Sequence, residues 1–114
     1  MATGIINNPC GEEDITITLD SSKVSLASWG NVTGKRVGNI VFVRFHGVIF
    51  RQTTTSAYDI ATMSVTSKAN TVQPVHTGSA QNGFAITENN SNKIRANGIS
   101  NTSSACYCEM IFPV

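Results

Sequence analysis

The sequence predicts a single all-β domain, an antiparallel β-sandwich or jelly roll of about eight strands. Three observations carry that expectation. Apolar residues recur with period two in run after run, while helical periodicity is nearly absent. Turn-forming residues punctuate these runs at short intervals. Ser, Thr and Asn make up about a third of the 114 residues, while only 13% are charged, about half the usual share. Thr suits a pleated surface and Asn suits turns. A chain of this length supports one core without a metal or disulfide staple.

The elements follow in order. Residues 1–13 read as an extended N-terminal segment, and the β-sandwich domain is expected over 14–114. Ile15, Ile17 and Leu19 alternate with Thr16 and Thr18 as a half-buried strand. Asp20-Ser21-Ser22 is a turn, after which Val24 and Leu26 resume the apolar face. Residues 38–52 form the longest run. Its odd positions (Val41, Val43, Phe45, Gly47, Ile49) make an unbroken apolar face. Its even positions have apolar ends and a polar middle at Arg44 and His46, too apolar as a set for open water, so a covering partner is expected. Gly47 is the natural place for a bulge. Strands follow at 57–63, 71–77, 83–88, 93–96 and 105–112. Pro74 implies an edge or irregular position. In the last strand, Cys106, Cys108, Met110 and Phe112 face inward, with Tyr107 and Glu109 outward.

Charge and cysteine usage narrow the function. The net charge of +1 comes with scattered cations and only one adjacent pair, Lys35-Arg36. Nucleic-acid binding needs clustered cations, so that class is set aside. No apolar run approaches a membrane span and no signal peptide is visible. Three cysteines (Cys10, Cys106, Cys108) give an odd count, which argues against a disulfide framework. Cys106 and Cys108 read as small core residues, and no cysteine or histidine has zinc-like spacing.

Catalysis needs matched ionisable groups, and the seven carboxylates offer no paired spacing. Glu12, Glu13 and Asp14 read as a solvated approach. His46 and His76 lie outside any nucleophile-elbow, metalloprotease or phosphate-loop motif. A non-enzymatic role is expected, with no cofactor, metal or catalytic residue. Trp29, the only tryptophan, sits between Ser28 and Gly30, where it serves either as a half-buried packing element or as a platform for the apolar face of a sugar. Arg44 and His46 either border a subunit contact or line a ligand groove. Tyr58-Asp59 and Tyr107 carry an ambiguity like that of Trp29, packing or saccharide contact. Three glycosylation sequons, at Asn31, Asn89 and Asn101, are ordinary for so Asn- and Thr-rich a chain.

The run Trp29…Lys35-Arg36-Val37-Gly38-Asn39-Ile40-Val41-Phe42-Val43 resembles the opening of the C-terminal head domains of phage and prophage tail-fibre, baseplate and receptor-binding proteins. Ile60-Ala61-Thr62-Met63 with Gln73-Pro74 resembles a second segment of that family, although Ser64 replaces the family's proline. Ile94-Arg95-Ala96-Asn97-Gly98-Ile99 and the closing Met110-Ile111-Phe112-Pro113-Val114 complete the likeness, which covers residues 28–114. The resemblance implies a trimeric head at a viral tail tip that binds host surface polysaccharide or protein. Its location would be the virion, or the bacterial cytoplasm before assembly for a prophage product.

Together these readings predict a tail-tip domain that recognises bacterial surface saccharide as a homotrimer alongside other tail proteins. The candidate ligand-binding residues are Trp29, Arg44, His46, Tyr58, Asp59 and His76. Two alternatives are a purely structural trimerising cap and a monomeric carbohydrate-binding module.

Overall fold

A computed structural model of the chain describes residues 11–114. Cys10 and most of the expected N-terminal segment lie outside the described residues. Among the described residues nine strands and no helix form: β1 (Glu12–Ile15), β2 (Ile17–Leu19), β3 (Val24–Val37), β4 (Ile40–Phe50), β5 (Tyr58–Ser67), β6 (Thr71–His76), β7 (Gln81–Thr87), β8 (Ser91–Asn97) and β9 (Cys106–Pro113). They make one sheet in the order β1-β3-β4-β9-β6-β7-β8-β5-β2, antiparallel throughout. The all-β antiparallel class is as the sequence predicts.

The strand count exceeds eight because the 15–19 run is split. β1 pairs with β3 and β2 with β5, at opposite ends of the strand order. Thr16 stands between them. Its N–H donates to Ser64 Oγ (2.9 Å) and its carbonyl accepts from the Ser64 N–H (2.9 Å). Within one residue the chain steps from one edge of the sheet to the other, which curls the sheet into a nearly closed barrel. Ile15, Ile17 and Leu19 all pack against the core across the step, so their alternation in sequence is unbroken. Glu12, Glu13 and Asp14 are strand residues rather than a free approach. Lys35 pairs with Glu12 (3.6 Å) and Asp14, and Arg36 with Glu13 (3.7 Å). All three carboxylates remain exposed, so these pairs contribute little stability.

The core fills the barrel with side chains from both halves of the sheet. Val41, Val43 and Phe45 of β4 and the alternate residues of β9 face Ile60, Met63, Val75, Ala85 and Ile94. In β4 the odd face ends at Gly47. This glycine has φ +77° and marks a register shift against β9 between His46 and Val48. The bulge exchanges the faces beyond it. Val48 and Phe50 are buried, while Ile49, expected inward, is only half-buried. Leu26, expected on the apolar face with Val24, is 41% exposed and lies beside a second irregularity, between Leu26 and Asn31 of β3. Pro74 lies inside the strand order but at an irregular position, as expected: β6 shifts register against β7 between Pro74 and His76. β6 meets β9 in register at one pair only, His76 with Tyr107, so this junction tolerates a residue without an N–H.

Cys106 and Cys108 are buried free thiols, as their alternation predicts. Burial, reinforced by the nearby Glu109 charge, pushes the Cys108 thiol up to about 12 from 9.0. A pKa raised by folding contributes stability that is complete below the unfolded value and is lost as pH rises towards the folded one. Between about pH 9 and pH 12 this group alone is expected to cost about 1.4 kcal/mol per pH unit. Urea unfolding at pH 8 and pH 10 checks this, with a steeper loss for the native chain than for Cys108→Ala.

Candidate functional site

The outer face of β3, β4, β9 and β6 carries three successive rows of side chains, set by the strand registers. The first row runs Asn31, His46, Tyr107, His76. Two residues further along lies Thr33, Arg44, Glu109, and two further again Lys35, Phe42, Ile111. An aromatic row, a charged row and an apolar row thus stand side by side.

Trp29 joins the first row through the irregularity in β3. Leu26 pairs with Val48 and Asn31 with His46, so four residues of β3, 27–30, face the single Gly47 of β4. The surplus length carries Trp29 onto the outer surface, where it is 54% exposed. The approach is close on both strands. A Cβ at Gly47 would lie 2.7 Å from Trp29 Cζ3 and 3.0 Å from the Gly30 Cα, and one at Gly30 would lie 2.7 Å from the Gly47 carbonyl oxygen. Two glycines are therefore required for the indole to lie where it does.

The result is an aromatic shelf. Trp29 stacks with Tyr107 (centroids 6.1 Å apart, planes 18° apart) and meets His46 edge-on at 5.4 Å. His46 and Tyr107 pack edge to face at 5.1 Å, and His76 flanks Tyr107 from the other side at 6.1 Å. Such contacts are worth about 0.5–1.5 kcal/mol each beyond area burial, enough to hold the rings in place. A shallow depression of about 290 Å³ opens beside the shelf, lined by Arg44, His46, His76, Tyr107 and Glu109 among others. Arg44 and Glu109 are cross-strand partners, yet the Arg44 guanidinium bonds His46 Nδ1 (3.4 Å). Among the described residues neither Arg44 nor Glu109 belongs to an ion pair.

Four of the six candidate residues, Trp29, Arg44, His46 and His76, therefore converge. The other two stand elsewhere, on β5. The Tyr58 hydroxyl donates to the Gln52 carbonyl (3.0 Å), its ring lies under Lys23 (5.4 Å), and burial raises its pKa. Asp59 accepts from Arg95 Nε (3.1 Å), while Arg95 Nη1 pairs with Glu88 (3.5 Å). Both are committed to local structure. Tyr107 and Glu109 belong to the site but are absent from the predicted set. Their outward alternation on the last strand is a signal, but only the register against β4 shows what they face.

Beyond the charged row, Ile40, Phe42 (43% exposed) and Ile111 (56% exposed) form an apolar patch, with exposed Val72 on the neighbouring β6. Lys35, Arg44 and Glu109 bound it. Among the described residues no group of three or more His, Cys, Asp or Glu side chains is placed to hold a metal ion, and no helix is long and apolar enough to cross a membrane. Neither a family model, nor a curated protein, nor a solved structure matches the chain.

Proposed function

We propose that this domain is a non-catalytic saccharide-recognition head that acts in several copies, in the setting of a phage or prophage tail tip. The observation that carries the reading is the Trp29–Tyr107 shelf beside Arg44 and Glu109, neither of which is held in an ion pair among the described residues. A pyranose has an apolar face that stacks on an aromatic ring and a rim of hydroxyls that both donate and accept. Arg44 supplies donors and Glu109 acceptors at the edge of such a platform. Bacterial surface glycan is the ligand class that this chemistry and the family resemblance favour together.

Weak single sites gain from multivalency, so the copies matter. The Phe42–Ile111 patch is the surface we assign to contact between copies. It is apolar at its centre, and around a three-fold axis the apolar residues of three copies can meet while the cations of one copy face the carboxylate of the next. Light scattering is expected to give a mass near three chains, and the double substitution Phe42→Ser, Ile111→Ser is expected to reduce it to one. A single-chain mass for the unsubstituted protein favours a monomeric carbohydrate-binding module instead.

Because Trp29 is the only tryptophan, its fluorescence reports the shelf alone. Titration with purified bacterial cell-surface polysaccharide is expected to change that emission saturably. Tyr107→Ala is expected to weaken the response about tenfold, corresponding to about 1.4 kcal/mol. An unchanged emission over the whole titration argues for the structural cap.

A further inference from the structure

The two imidazoles on either side of Tyr107 make different hydrogen bonds, and each bond fixes a tautomer. Arg44 Nη2 lies 3.4 Å from His46 Nδ1. A guanidinium only donates, so Nδ1 accepts and the ring proton of neutral His46 is on Nε2. His76 Nδ1 lies 3.1 Å from the Thr77 carbonyl oxygen. A carbonyl only accepts, so Nδ1 donates and the Nε2 of neutral His76 keeps its lone pair. Among the described residues neither Nε2 bonds another protein group.

We infer that the shelf has a built-in hydrogen-bond polarity: His46 offers a donor on the β4 side of Tyr107 and His76 an acceptor on the β6 side. This rests on the saccharide reading of the site and sharpens it. The ligand class is a pyranose stacked over Tyr107, with one ring oxygen substituent accepting from His46 Nε2–H and a free hydroxyl on the opposite edge donating to His76 Nε2. Replacing that hydroxyl with an ether removes its proton, so a sugar O-methylated there binds worse than the parent. Arg44 acts here as a positioning residue, through the proton placement it imposes on His46.

Long-range ¹⁵N–¹H correlation on uniformly ¹⁵N-labelled protein at pH 8 reads both tautomers without any ligand. The expected result is a pyrrole-type Nε2 with a pyridine-type Nδ1 for His46, and the reverse for His76. Arg44→Met is expected to release His46 into a mixture of tautomers while leaving His76 unchanged. The same tautomer in both rings, or no response of His46 to Arg44→Met, overturns the inference and leaves the saccharide reading standing. Titration of the same sample with methyl pyranosides then reads the ligand assignment. Joint movement of the His46 and His76 Nε2 signals supports it. Opposite tautomers with no movement of the Trp29, Tyr107 or imidazole signals overturn the saccharide reading and the ligand assignment with it.

Discussion

Gly47→Ala is expected to lower both stability and ligand affinity. The backbone there has φ +77°, a left-handed conformation that costs an L-residue about 1–2 kcal/mol. The new Cβ would also lie 2.7 Å from Trp29 Cζ3 and 3.0 Å from the Gly30 Cα. Either the bulge flattens or the indole leaves the shelf. A flattened bulge returns Ile49 to the inward face and turns Phe50 outward, against the packing of the core. Together these effects are expected to cost about 2–3 kcal/mol, which for a domain of this size lowers the melting temperature by about 10–20 °C. Differential scanning calorimetry measures the first effect and Trp29 fluorescence titration the second. Ala at Gly78, which has open space around it, is the matched control and is expected to change neither.

Asn82→Ala is expected to be strongly destabilising at a point away from the shelf. This side chain is buried at the start of β7 and all its bonding capacity is used. Its Oδ1 accepts from the Ser100 and Asn101 N–H groups (2.9 Å each), and its Nδ2 donates to the Asn101 carbonyl (2.9 Å) and to Cys106 Sγ (3.4 Å). Asn101 in turn caps Ser103 and Ser104 through its own Oδ1 (2.9 Å each). Asn82 thus anchors residues 100 and 101 of the connection from β8 to β9, and Asn101 the residues after them. Removing it leaves backbone donors unpaired, each worth about 1–3 kcal/mol, for a total of about 2–5 kcal/mol. Urea unfolding measures the loss. Hydrogen exchange is expected to show protection lost first at Ser100 and Asn101, and a uniform change along the chain would contradict this role.

The fold class was legible because alternation and turn chemistry agree along most of the chain, and the last strand shows this best. Cys106, Cys108, Met110 and Phe112 point inward and Tyr107 and Glu109 outward, as period two requires. The step at Thr16 was not legible, since the core lies behind both β1 and β2 and the alternation continues across it. Gly47 was readable as a bulge, but the exchange of faces beyond it depends on how many residues the partner strands place opposite. The same limit applies to the site. Residue type singled out Trp29, Arg44, His46 and His76, but it singled out Tyr58 and Asp59 equally. What separates the two groups is the partners that already hold Tyr58 and Asp59; Lys23 and Arg95 among them lie more than thirty residues away, and no local pattern encodes them. Tyr107 enters the site only because β9 lies between β4 and β6.

The central claim is that the aromatic row binds sugar, and chemical-shift mapping of the labelled protein with purified host cell-wall polysaccharide fragments tests it most directly. The account predicts perturbations centred on the Trp29 indole N–H, His46, Tyr107 and His76, fading through Arg44 and Glu109. Perturbations confined to Tyr58 and Asp59, or none at saturating polysaccharide, would contradict it.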